Sequence, residues 1–196
     1  MALVPYPAKP HHTSVSLQPM TSSLVNTSNL SNARQAVDVG YSWWAADVSI
    51  SMMTQAHARE WRLFLGRVRG RVNSFNIPIL PSDQHDATFT ARAQGAGSGY
   101  SLVTDGWPVS SLVLLAGDYV TVGTQLMVLD ADVNTNISGV ATLQFHSPLR
   151  GVVADNTALE TKRPYLPSYF PQGSPALTLN VAQLQDGFSF SAMEAY

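Results

Sequence analysis

The chain contains no cysteine, which excludes a disulfide framework, a thiolate zinc centre and a thiol nucleophile. Charge is scarce as well. Only 12% of the 196 residues are Asp, Glu, Lys or Arg, against about 25% in ordinary soluble domains, so most of the polar surface is Ser, Thr, Asn, Gln and backbone. Such a weakly charged surface suits packing against other subunits. Long apolar runs are also missing: the greasiest stretch, Leu112 to Leu115, stops at Gly117 and Asp118, far short of the ~20 residues that cross a bilayer. The opening MALVPYPAKPHHTS lacks the basic segment and apolar stretch of about 7–15 residues that a secretory signal needs. A soluble protein with no membrane partner is therefore expected.

Apolar residues make up 45% of the chain, enough for one sizeable core or two modest ones at domain sizes of roughly 100–150 residues. The net charge of −2 conceals an uneven split. Residues 82–162 carry Asp83, Asp86, Asp105, Asp118, Asp130, Asp132, Asp155 and Glu160 against Arg92, Arg150 and Lys162, a net −5 that leaves +3 for the rest. The flanking segments taken together are basic and the middle is acidic, as an insertion into a host domain would be.

Periodicity supports that division. Residues 1–13 read as an irregular arm, and Val15 and Leu17 alternate with polar neighbours as in a short strand. Trp44, Ala46, Val48, Ile50 and Met52 share one parity and predict a long half-buried strand. The period then lengthens: Ala58, Trp61, Leu65 and Val68 predict one helix over 55–69, with Thr54 as N-cap and Gly70 as terminator. Phe75, Ile77 and Ile79 resume the two-residue period, and Pro78 and Pro81 confine that stretch to a sheet edge or strand end. Residues 82–100, with QGAGSGY, read as a flexible connection.

Short apolar segments follow at spacings of roughly 8–12 residues, with no second helical pattern, which points to a small barrel or sandwich. These are Leu102–Val103, Val120–Val122, Leu126–Leu129 and Ala141–Phe145, with a hairpin turn over Asn134–Gly139 before the last. Residues 163–175, with four prolines, read as a linker. Leu177, Leu179 and Val181, then Phe188, Phe190 and Ala192 after Asp186-Gly187, predict a terminal hairpin that needs the sheet of residues 14–80 to join. The expected fold is mainly β: a β-sandwich-like domain with one α-helix, split over residues 1–81 and 163–196, and a small β-barrel inserted at 82–162.

Signals for chemistry are few. Arg59, Arg62, Arg67, Arg69 and Arg71 hold five of the eleven basic residues, on and just after the helix. They fit either a nucleic-acid or phosphate footprint or a solvated helix face whose late arginines favour the negative helix end and pair with acids on a neighbouring subunit. The second reading is preferred, because no aromatics interleave to stack bases. Asp130, Asp132, Asn134 and Asn136 alternate like the start of a calcium loop, but Thr135 stands where Gly is required and Ala141 where Glu is. Asp83-Gln84-His85-Asp86 has no further histidine near it in sequence and reads as an exposed polar loop. Ser98, Ser110 and Ser111 lack a G-x-S-x-G elbow, and Gly95, Gly97 and Gly99 do not continue into a dinucleotide-binding loop. No catalytic residue, metal or cofactor is expected.

One stretch carries a family likeness. Leu115-Ala116-Gly117-Asp118-Tyr119-Val120-Thr121-Val122-Gly123, the strand from Gln125 to Leu129, Val140-Ala141-Thr142-Leu143-Gln144-Phe145 and Pro148-Leu149-Arg150 together resemble the distal tail proteins of long-tailed siphophages, in the short form that carries an oligonucleotide/oligosaccharide-binding (OB) type barrel. The order of elements around it, ending in Gly187-Phe188-Ser189-Phe190-Ser191-Ala192-Met193-Glu194, is similar too. The resemblance implies a non-enzymatic virion protein, made in the host cytoplasm and carried at the tail tip. It implies a homohexameric ring that binds the tail tube on one face and the baseplate hub on the other, with the barrel projecting outward toward side fibres or a cell-surface saccharide. Tyr100 and Trp107 are the aromatic candidates for a sugar platform, with core packing the commoner fate of a Trp. A free-standing carbohydrate-binding module and a single-strand nucleic-acid binder are the alternatives, the acidic middle segment disfavouring the second.

Overall fold

Along the strand that ends at Ile50, Ala46, Val48 and Ile50 are buried while Asp47 points outward, the two-residue period of a sheet with one covered face. The computed structural model of the chain describes residues 1–9, 12–177 and 184–195. Its elements are β1 (Leu3–Val4), β2 (His12–Thr27), β3 (Arg34–Ile50), β4 (Met53–Thr54), α1 (Gln55–Val68), β5 (Ser74–Pro78), β6 (Arg92–Ala93), β7 (Gly97–Asp105), β8 (Leu112–Leu114), β9 (Tyr119–Val122), β10 (Gln125–Val128), β11 (Val133–Asn134), β12 (Ala141–Val153), β13 (Leu159–Glu160), β14 (Tyr165–Tyr169), β15 (Leu184–Gln185) and β16 (Phe188–Glu194). The fold is mainly β with one helix, as the periodicities predict.

Six strands form the largest sheet, in the order β1-β5-β14-β16-β3-β2. The apolar stripe of α1, Ala58, Trp61, Phe64, Leu65 and Val68, is buried against it. Aromatic rings carry much of this contact: Trp61 meets Phe188 edge-on at 5.2 Å and Phe64 meets Phe75 at 5.2 Å, with Phe75 packed in turn on Phe170 at 4.7 Å within the sheet layer. Each such side chain contributes about 1.5–3 kcal/mol when fully buried. The helix starts where expected, Thr54 Oγ1 accepting from the His57 N–H at 3.5 Å. It ends one residue before the expected terminator: Arg69 takes the left-handed cap conformation at φ 52°, with Gly70 next at φ 65°. Asn73 closes the end by donating to the carbonyls of Arg67 (2.9 Å) and Val68 (3.1 Å).

A second core lies wholly within the middle segment, where Leu102, Val120, Val122, Met127, Leu143 and Phe145 pack together. The strands around it close on themselves. β6 pairs with β7, β7 with β12, a Leu129–Phe145 bridge joins β12 to the end of β10, β10 pairs with β9 and β9 with β13. An Arg92–Ala158 bridge, with the Leu159 N–H donating to Ala91 O at 3.0 Å, returns to β6. This circuit has the form of a small barrel whose interior is filled by side chains.

Three expectations are corrected. Residues 163–175 are not a linker: β14 lies inside the sheet, with Leu166 and Phe170 buried. Pro167 is tolerated because it sits at the end of the β14–β16 ladder, which pairs only Ser168 and Tyr169, and its carbonyl still accepts from the Ala195 N–H at 2.8 Å. The glycine-rich QGAGSGY is not wholly a connection, since β7 begins at Gly97 and the Leu102 side chain occupies the space a Cβ there would take. The strand at Val15 and Leu17 is not short: β2 runs from His12 to Thr27 and β3 answers it from Arg34. β16 pairs with β3, whereas residues 178–183 of the expected terminal hairpin lie outside the described residues.

Candidate functional site

The extra length of β2 and β3 forms an arm. Ser23 to Thr27 pair in register with Asp38 to Arg34, so that Leu24 faces Val37 and Val25 faces Ala36. The tip is ordered by Ser28, whose Oγ accepts from the N–H groups of Leu30 and Ser31 (3.3 Å each) and whose carbonyl accepts from Asn32 N–H at 2.9 Å. A bulge sets the arm off from the sheet: the register shifts between Thr21 and Ser23, and Gly40 opposite adopts φ 73°. A bulge of this kind bends the ribbon. Every side chain from Ser23 to Val37 is exposed, including Leu24, Val25 and Val37, and Leu30 is 100% exposed at the tip. Strands usually hold about 5–6 residues, and a two-stranded ribbon alone is marginal in water.

The five arginines occupy the opposite kind of surface. Arg59, Arg62, Arg67, Arg69 and Arg71 are all exposed on α1 and its C-terminal turn, and among the described residues none of them forms an ion pair within the chain. Leu63 and Val72 are exposed among them. The two aromatic candidates are not brought together as a platform. Tyr100 is 54% exposed on β7, but Trp107 is only 5% exposed, donates from Nε1 to Thr104 Oγ1 at 2.8 Å and packs on Phe89 at 5.2 Å. Trp107 is thereby corrected from sugar contact to barrel core, since its faces and its donor are both spent inside.

The polar motifs serve the fold. Asp132 Oδ1 accepts from Ala116 N–H and Asp118 Oδ2 from Leu115 N–H, fixing the tight turn at Gly117. Asn136 Oδ1 accepts from the N–H groups of Ser138 and Val140, so the calcium-like spacing is a network of turns. The segment at Asp83 is more than the expected exposed loop. Gln84 brackets Tyr119, accepting from its N–H at 2.9 Å and donating to its carbonyl at 3.0 Å, and Asp83 pairs with Arg163 and, at 3.4 Å, with Lys162. The hydrogen bond from Arg163 holds the Asp83 carboxyl below its ordinary range. The His85 nitrogens lie 2.7 Å from Ala87 O and 3.2 Å from Thr161 Oγ1. Among the described residues no three His, Asp or Glu side chains could hold a metal ion together, and no helix is long and apolar enough to cross a membrane.

Sequence reasoning missed one buried polar constellation, formed by Glu194, Arg150 and the backbone of Trp44 and Leu126. Its members lie on four strands, so no local spacing could announce it. No family model matches the chain, and no curated protein matches it either.

Proposed function

We propose that the chain is a structural, non-enzymatic subunit of a siphophage tail tip, of the distal-tail type, which closes into a homohexameric ring between tail tube and baseplate hub. The arm carries this reading. A ribbon whose apolar side chains at Leu24, Val25, Leu30 and Val37 meet no third layer among the described residues is suited to receive that layer from a second copy. An arm that docks on a different surface of the next copy makes a head-to-tail contact, and such contacts close into a ring when the rotation permits. The low charge of the chain and the likeness of its middle segment to distal tail proteins support the same reading. The arginine face of α1 is then a surface for the tube or the hub, and the barrel, with Tyr100 exposed, is the part available to side fibres or saccharide.

Light scattering over a wide concentration range tests it. The wild type is expected as a particle several times the monomer mass, and a variant with residues 24–36 replaced by a two-residue turn as a monomer. A monomeric wild type, together with infectious phage that carry the arm-less variant, would overturn the reading.

A further inference from the structure

Glu194 ends β16 with a side chain that is 0% exposed, and its two oxygens are spent on three other strands. Oε2 accepts from the Trp44 N–H on β3 at 3.0 Å and from the Arg150 guanidinium on β12. Oε1 accepts from the Leu126 N–H on β10 at 2.8 Å. Trp44 Nε1 in turn donates to Leu126 O at 2.9 Å. Leu126 belongs to the barrel strands by sequence, yet its side chain packs in the core under the sheet. Arg150 is held from behind, its N–H donating to Gln125 Oε1 at 3.0 Å while Gln125 Nε2 donates to Pro148 O at 3.2 Å. Among the described residues Arg150 is the charged group that faces the carboxylate; on β14 the residue opposite is Ser168, whose hydroxyl donates to Leu166 O at 3.0 Å.

A buried ion pair is seldom the most stabilising filling for such a space, and apolar side chains of similar volume often do as well or better. What the carboxylate supplies is direction. It binds two backbone N–H groups and a guanidinium at fixed angles, one N–H from the sheet and one from the barrel. Trp44 also stands just past the bulge from which the arm departs. We propose that Glu194 is a latch that sets the barrel at a fixed angle to the root of the arm, and relays displacement of the barrel through Arg150 and Leu126 to Trp44. The relevance to ring assembly rests on the function proposed above; the latch itself is a property of the single chain.

A carboxylate accepts at both oxygens, whereas an amide accepts at one and presents a donor at the other. Glu194→Gln therefore leaves either Trp44 or Leu126 without an acceptor and Arg150 without its counter-charge. Amide hydrogen exchange on the full chain is the first test. Both Glu194→Gln and Arg150→Met should speed exchange at Trp44 and Leu126 by about tenfold, the equivalent of one lost buried hydrogen bond, while Val48 and Leu143 in the two cores keep their protection. Arg150→Met is the decisive variant, since it lies on the barrel and keeps the Glu194 carboxyl while removing its counter-charge, which weakens both of its bonds to the backbone N–H groups, so it remains informative should Glu194→Gln fail to fold.

The absence of cysteine allows a second test by spin labels at Leu30→Cys on the arm and Val152→Cys on the barrel, both exposed. The distance distribution should be narrow in the wild type and broader in Arg150→Met. Trp44 remaining protected in Arg150→Met, or exchange rising equally in both cores, or an unchanged distribution, would each overturn the latch. With labelled chain diluted into excess unlabelled chain, each measurement reads contacts within one chain, so failure to form a ring would count against the proposed function and leave the latch standing.

Discussion

A buried carboxylate next to a guanidinium is subject to opposing forces, and at Glu194 burial outweighs Arg150 and the two backbone N–H groups, pushing the carboxyl above its ordinary value. The folded state therefore binds a proton at a pH where the unfolded chain has released it. The sign follows: the contribution of Glu194 to stability is fully present below the unfolded value, about 4.3, and declines as pH rises through the higher folded value. Urea titrations of the wild type and Glu194→Gln from pH 4.5 to 8 should show the wild type losing stability relative to the variant as pH rises. Two glycines give a contrasting pair. A Cβ on Gly187 would lie 2.3 Å from Ile50 O and 3.0 Å from Ser51 C, backbone atoms that cannot move aside, so Gly187→Ala should cost about 1–3 kcal/mol or more. Gly66 is helical, exposed and has nothing within 4 Å of the same position, so Gly66→Ala should gain about 0.5–1 kcal/mol. Denaturant midpoints check both.

Among the elements, α1 is held at its start by one side chain, and Thr54→Ala should destabilise the protein by about 1 kcal/mol, read as a lower thermal midpoint. This helix was also the most legible element in the sequence, because its buried stripe and cap are local. The core half of β3 was legible for the same reason: one covered face imposes alternation on Ala46, Val48 and Ile50. The arm was not, since residues 23–37 have no covered face and hence no pattern to read. β14 was hidden by Pro164 and Pro167, whose cost depends on which neighbour needs the missing N–H, a fact of pairing rather than of sequence. The arginine cluster could be placed on and just after the helix from spacing alone, and all five side chains are exposed there. Glu194 and Trp44 stand 150 residues apart, and their meeting is decided by the pairing of β16 with β3, which no window along the chain contains.

For the whole molecule, the arm is separable in energy from the two cores. No side chain in residues 23–37 is buried, so replacing 24–36 by a short turn should move the unfolding free energy by no more than about 0.5 kcal/mol, while abolishing the multi-subunit particle that the proposed function predicts for light scattering. A variant that instead loses thermal stability would show that the arm folds back on its own chain. The points where the chain leaves the large sheet for the barrel and returns from it are side by side: Pro78 pairs with Tyr165, and the Ile79 N–H donates to Pro164 O at 3.5 Å. The barrel is thus attached as a cassette is to a socket, and its exchange for a longer, shorter or different insert would leave the strand order untouched. The socket is selective all the same. Any replacement must bring its own apolar plug for the place of Leu126 and its own cation for Glu194, so the lineage of such a chain is free to vary the outer surface of the cassette and constrained at two positions of its base.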